Sequence, residues 1–282
     1  MPITLTNVIL PISSFVDSLL VVNLLAINFT KQMSVFLYGL ESGAVGSLVS
    51  LPTIFSFAIA SVLLPGLTNR NHIYNKTHKL ALGMKITLII TLPCVVCFTF
   101  IPSQIIKLLY ADKLSGFGVE GLNIAYRLLT ISGFGVVFLA INQLYSSCLQ
   151  AMERRIATIR NLFLAVIVKF VIELIFLPSI MINIYALAVG NTACYAVAMI
   201  LNHMEIKEIF PLKFDYLFMC KLLLANVIML FVLISILTIC QTSICILLSI
   251  AISGFIYLIT LFALKIFNNK DKAMFKYVMQ KG

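Results

Sequence analysis

The sequence predicts an all-α, polytopic membrane protein of about eight transmembrane helices, and three observations carry that expectation. Hydrophobic residues make up 61% of the chain and charged residues 11%, with a mean hydropathy of +1.09, whereas roughly a quarter of an ordinary soluble domain is charged. Eight apolar segments reach the ~20 residues that cross ~30 Å of hydrocarbon at 1.5 Å per residue. None shows the period-two alternation of a barrel strand, and a bilayer offers no water to open backbone, so the segments are expected to be helices.

The first expected span, residues 8–29, follows a short lead with no basic n-region and no small-residue cleavage site, so it reads as a retained helix and not as a signal peptide. It carries Asp17 near its middle, and at 100° per residue Asn7, Ser14 and Ser18 fall on roughly the same side. A charge at bilayer depth costs at least about 2.5 kcal/mol. Asp17 is therefore either a cavity-lining or ion-coupling carboxylate, or one bonded to a neighbouring helix. The second span, 43–65, and the third, 81–101, contain Pro52 and Pro93, as the first contains Pro11. Each proline removes a backbone donor and crowds the preceding turn, so bends or broken helices are expected there.

The fourth span, 122–150, bears Arg127 near its outer end and Asn142, Gln143, Tyr145, Ser146, Ser147 and Gln150 toward its inner end. In the fifth, 161–180, Lys169 and Glu173 stand four apart on one face and are expected to pair. That pair is either structural or a switchable contact, remade as one bundle rocks against another. The sixth, 184–203, places Asn191, Tyr195 and Asn202 on one face. The seventh and eighth, 216–239 and 243–267, are almost wholly apolar. Amides and hydroxyls in such helices either hold them together or line a pathway, and several together favour a polar interior.

Orientation follows from the cations. Arg70, Lys76 and Lys79, then Arg154, Arg155 and Arg160, then Lys207, Lys213 and Lys221, and finally Lys265, Lys270, Lys272, Lys276 and Lys281 form four basic regions. These alternate with regions holding only Lys31, Lys107, Lys113 and Arg127. The positive-inside bias places both termini in the cytoplasm of a cell that carries the protein in its plasma membrane. Tyr38, Tyr110, Tyr126 and Tyr185 fall near the outer boundary and Tyr74, Tyr216 and Tyr277 near the inner one, where interfacial rings belong. A net charge of +10 spread this thinly forms no stripe for nucleic acid.

Several chemistries are disfavoured. No Walker-type phosphate loop, G-x-S-x-G or H-E-x-x-H occurs, and the three histidines fall in cytoplasmic loops, so neither an enzyme nor a metal site is expected. Cys94 and Cys97 lie in an apolar run with no second Cys/His pair to complete four zinc ligands. Cys240 and Cys245 flank an outer loop and could pair in an oxidising compartment. The sequons at Asn28 and Asn75 sit at a membrane edge and in a cytoplasmic loop, where glycosylation is not expected.

Short strings now occur in order: Pro11-x5-Asp17, Tyr38-Gly39, Leu51-Pro52, Ala58-Ile59, Leu64-Pro65, Leu108-Leu109-Tyr110, Leu149-Gln150-Ala151 and Lys169-Phe170-x2-Glu173. Across residues 3–214 they resemble the C-terminal portion of the stage V sporulation protein B and polysaccharide-flippase family. Its superfamily also holds the MATE exporters and the MurJ-type lipid II flippases. That resemblance implies a plan of about fourteen spans in two bundles and an extra pair, built as transporters with repeated halves are. Residues 1–203 then look like the second six-helix bundle, 204–215 an amphipathic cytoplasmic linker, 216–267 the two additional helices and 268–282 a basic cytoplasmic tail. The start looks like an interhelical loop opened at an internal methionine.

The resemblance further implies a substrate, a lipid-linked saccharide or peptidoglycan precursor for the cell envelope or spore cortex, translocated by alternating access. It implies a partner besides the bilayer: an N-terminal six-helix bundle, separate or missing, holding the main headgroup site. Cavity candidates on this chain are Asp17, Ser14, Arg127, Asn142, Gln143, Lys169, Glu173, Asn191 and Tyr195, with no cofactor. Two alternatives stay open: a MATE-like multidrug exporter coupled to Na⁺ or H⁺ through Asp17, and a non-transporting membrane scaffold or remnant.

Overall fold

The computed structural model describes residues 2–68, 73–114, 118–212, 215–239 and 242–267, and all regular structure among them is helical. In chain order the elements are α1 (Pro2–Leu25), α2 (Lys31–Gly39), a π-helical turn (Leu40–Val45), α3 (Gly46–Thr68), α4 (Ile73–Phe100), α5 (Pro102–Leu114), α6 (Gly118–Ala151), α7 (Arg155–Phe176), α8 (Tyr185–Ile209), α9 (Tyr216–Ile239) and α10 (Ser243–Ala263). Arg70, Lys213, Cys240 and the basic tail lie outside the described residues.

Among the described residues six stretches are long and apolar enough to cross a membrane: Lys31–Val62, Lys76–Phe100, Val119–Ala151, Tyr185–Ile209, Tyr216–Ile239 and Ser243–Ala263. The other two expected spans correspond to α1, with an apolar stretch Ile12–Leu25, and α7, which has the length at 22 residues but carries Arg160, Lys169 and Glu173. Phe57, Phe134, Phe231 and Phe255 are each more than half exposed. Such outward rings suit hydrocarbon, and together with the apolar helices they make the chain a multi-pass membrane protein.

Several boundaries depart from expectation for local reasons. The helix expected to begin at residue 43 begins at Lys31, because the Thr30 side chain caps it by accepting from the Met33 backbone N–H at 3.3 Å. From there α2, the π-helical turn and α3 run on without a break. Pro102 opens α5, for which no helix is expected above; proline suits a first helical position, where its missing N–H would have no partner in any case. The stretch expected as a separate linker is helical at its start, since α8 continues to Ile209. Of the bends or breaks expected at Pro11, Pro52 and Pro93, no break occurs, since all three lie inside continuous helices. Inside a membrane bundle, local adjustments and neighbouring helices satisfy the carbonyl a proline leaves open.

Long α6 is the axis of the bundle, packing against α3, α4, α5 and α8. Small residues permit this. A Cβ at Gly133 would stand 2.9 Å from Phe98 Cβ on α4, and one at Gly135 would stand 3.1 Å from Thr192 Oγ1 on α8. Helices α9 and α10 pack on each other and lean on α4, where Phe218, Leu222, Met229, Tyr257 and Leu261 meet Leu88, Ile89 and Leu92. Tyr257 buries its ring there and donates to the Ile89 carbonyl at 2.7 Å. Cys245 is disulfide-bonded, while Cys94 and Cys97 are free thiols.

The basic connections share one end of the bundle. Arg154, between α6 and α7, reaches Glu205 at 3.3 Å and Glu208 at 3.1 Å near the end of α8, and Arg160 also pairs with Glu205. Lys85 of α4 pairs with Asp215 at 2.9 Å just before α9. Burial opposes ionisation of Asp215, but hydrogen bonds from Lys85 and the Phe218 backbone N–H, with the charges of Lys85 and Lys221, outweigh it. They hold the carboxyl below its usual range.

Candidate functional site

Helix α7 is inverted relative to a soluble amphipathic helix. Its buried face repeats as Thr158, Asn161, Leu162, Ala165, Val166, Lys169 and Glu173, while Phe163, Ile167, Val171 and Ile175 point outward. The two charges therefore face the protein interior. Lys169 and Glu173 are 4% and 0% exposed, and Asp17 of α1 is 6% exposed.

The sequence pairs Lys169 with Glu173, but its nearer partner is Asp17. The Lys169 ammonium donates to Asp17 Oδ2 and stands 3.7 Å from Glu173 Oε1. Asp17 Oδ1 and both Glu173 oxygens accept no hydrogen bond. Glu173 fits because Gly190 of α8 has no side chain; a Cβ there would lie 3.2 Å from Glu173 Cγ and Oε1.

Beside this triad lies a cavity of about 350 Å³. Ser14 and Asp17 line it from α1, Lys169 from α7, Asn191 and Tyr195 from α8, and Val49, Leu139 and Leu187 complete apolar parts of the wall. Ser14, Ser42 and Ser50 are lining residues that remain exposed, so the cavity opens along the edge formed by α1, the π-helical turn and α3.

Glu41 is the residue that sequence reasoning missed. It sits in the π-helical turn, is 4% exposed and lines the cavity; its Oε1 accepts from Ser132 Oγ at 2.8 Å and its Oε2 has no partner. The signal was present. A Thr30 cap starts a helix that carries Glu41 into the bundle, whereas a span starting at 43 leaves it in a loop. Local π-helical geometry of this kind recurs at functional sites. Tyr38, expected as an interfacial ring, instead lines the cavity and its hydroxyl donates to the Ser14 carbonyl at 3.3 Å.

Three candidates lie elsewhere. Arg127 is exposed near the start of α6 and does not line the cavity. Asn142 belongs to a separate neutral cluster: Asn202 Nδ2 donates to Asn142 Oδ1 at 2.8 Å and to Ser146 Oγ at 3.1 Å, and Asn161 Nδ2 donates to Asn202 Oδ1 at 3.0 Å. Gln143 is half-buried beside that level of α6 and also lies off the cavity lining. Asn191 and Asn202 share a helix face but are separated by roughly 16 Å of rise, so one face serves two clusters. Among the described residues no group of three or more His, Cys, Asp or Glu is arranged to hold a metal ion.

Comparison with known proteins fits this architecture. Across 88% of its length the chain superposes with a TM-score of 0.69 on a solved structure described as "Lipid II flippase MurJ, inward closed conformation". At 19% identity that likeness shows the fold, and the chain spans 50% of the solved protein. No curated protein matches the sequence. Residues 12–265, which include every described residue of the triad and the cavity, match the family described as "Lipid II flippase MurJ", and the chain belongs to that family of membrane flippases.

Proposed function

We propose that the chain is one half of a flippase for lipid-linked peptidoglycan precursors, working by alternating access with an N-terminal six-helix bundle. The observation that carries this reading is a polar, charge-lined cavity inside an otherwise apolar bundle of a lipid II flippase family member. A polyprenyl tail can stay in lipid while the headgroup crosses through such a space, since polar groups at bilayer depth need a watery or charged surround. The exposed serines at the cavity edge support an enclosure completed from that side by a second bundle. The clustering of Arg154, Arg160 and Lys85 contacts at one end supports a cytoplasmic assignment for that end and for both termini. Membership of the sporulation branch, with spore-cortex precursor as cargo, is the narrower form of this proposal and rests on the ordered strings alone.

The test is reconstitution of the full chain into vesicles with and without a six-helix partner, using a fluorescent saccharide on a pyrophosphate-linked polyprenol. Partner-dependent transfer between leaflets, lost in Asp17→Asn, is expected. Absence of transfer with the partner present overturns the reading. The acid-rich lining, with Asp17 and Glu41 beside a single lysine, favours one alternative, a cation-coupled exporter of organic cations. Accumulation of a cationic dye in the same vesicles, without precursor transfer, is its signature.

A further inference from the structure

The sign of the cavity's charge is wrong for an anionic headgroup. Asp17 faces Lys169 and Glu173 from α7, Tyr38 and Glu41 from the α2 and π-helical segment, and Cys194 and Tyr195 from α8. Among the described residues two carboxyls, Asp17 and Glu41, thus line this space with one ammonium, and Glu173 adds a third acidic group behind Lys169. A pyrophosphate diester brings further negative charge into low dielectric, where uncompensated like charges repel strongly. Among the described lining residues the cation that could meet it is Lys169, which is already bonded to Asp17.

Resting on the pyrophosphate-lipid reading above, we infer that the cavity takes an anionic headgroup only together with a proton. Lys169 exchanges Asp17 for a phosphate oxygen, and Asp17 is protonated in its place. The charges balance: an ammonium–carboxylate pair, a phosphate oxyanion and a proton become an ammonium–phosphate pair and a neutral carboxyl. The only bond formed is the O–H on Asp17.

The geometry favours Asp17 as the acceptor. Its side chain lines the cavity and its buried Oδ1 has no hydrogen-bond partner, so a proton taken up by this carboxyl at the cavity wall displaces no existing bond at that oxygen. Glu173 does not line the cavity and is walled in by Gly190; at 3.7 Å it keeps a Coulombic hold on the lysine while the flexible lysine end moves. Glu41 also lines the cavity with an unpartnered Oε2, but its carboxyl bonds Ser132 and not Lys169, so the lysine's exchange leaves its bonding unchanged.

Calorimetry on the full chain in detergent tests this, with a dimethyl diester of pyrophosphate as probe in buffers of different ionisation enthalpy. Uptake of about one proton per anion is expected, with apparent affinity falling about tenfold per pH unit on the alkaline side. Asp17→Asn should bind the probe with no proton uptake and a flat pH profile, Asn202→Ala in the separate neutral cluster should take up protons as wild type does, and Lys169→Met should not bind. Wild-type binding without proton uptake, uptake unchanged in Asp17→Asn, dependence on Na⁺ in place of protons, or no binding at all overturns the exchange. If Asp17→Asn does not fold, the wild-type proton count and pH slope still decide. Proton-linked binding of the probe with no precursor transfer in vesicles would instead sink the flippase reading and leave the exchange standing.

Discussion

Two buried polar clusters hold this bundle together by different means. Toward the basic end, Asn142, Ser146, Asn161 and Asn202 join α6, α7 and α8 through neutral hydrogen bonds, with Asn202 using both its oxygen and its nitrogen. About 12 Å away along α7, the rise from Asn161 to Lys169, Asp17, Lys169 and Glu173 join α1 to α7 through charge, and they leave acceptor oxygens without donors, with Asp17 at the cavity wall. A cluster whose only task is cohesion is best closed and neutral, because buried charge costs desolvation that pairing repays only in part. The open, charged cluster keeps unmet bonding capacity where a ligand can reach it. The difference separates helix glue from a site within one chain.

The comparison can be broken or sharpened by mutation. Lys169→Met should have the largest effect, leaving Asp17 and Glu173 buried without a counter-ion at about 3–5 kcal/mol. Thermal unfolding in detergent measures it, and adding Asp17→Asn and Glu173→Gln should recover most of the loss. No recovery would mean that the triad is not the source. Asn202→Ala should be milder, about 2 kcal/mol for three interhelical bonds at roughly 0.6 each, and should leave the pH slope of probe binding untouched. A shifted slope would join the two clusters.

The smallest effect is expected at Lys85–Asp215, an ion pair like the triad but with the Asp215 side chain 35% exposed. Its folded carboxyl is held below its ordinary value, so the stabilisation is complete above about pH 4 and is lost as pH falls through the lower folded value. Solvent screening keeps the amount small. A melting series at acid pH should show a slightly steeper loss for wild type than for Asp215→Asn. A loss as large as that of Lys169→Met would show that burial is not what separates these charges.

Much of this was legible before any coordinates. Span positions followed from apolar length, and the inward turn of Asp17, Lys169 and Glu173 followed from the expense of exposing charge to lipid. The Lys169–Glu173 spacing gave a real contact but not the main one, because a four-residue offset reports neighbours on one helix and says nothing of α1. Arg127 lies off the cavity because its place near a helix end lets it reach out of the bundle. Asn142 and Gln143 were grouped with the cavity because a polar face, projected down a long helix, loses its height. Glu41 was lost to a boundary set by hydropathy where a cap and a π-helical turn in fact carry the helix onward.

By itself the sequence determined that this chain lives in a membrane, roughly which stretches form apolar helices and which residues are too polar to face lipid. Each of those properties is a sum over neighbouring residues and needs no knowledge of what packs against what. Only the tertiary structure decided that Lys169 bonds to Asp17, that Glu41 joins them across the cavity, and that the amides form a separate closed cluster. These depend on which helices are adjacent and on the height and rotation of each, which are settled by contacts between residues as distant in the chain as Asp17 and Lys169.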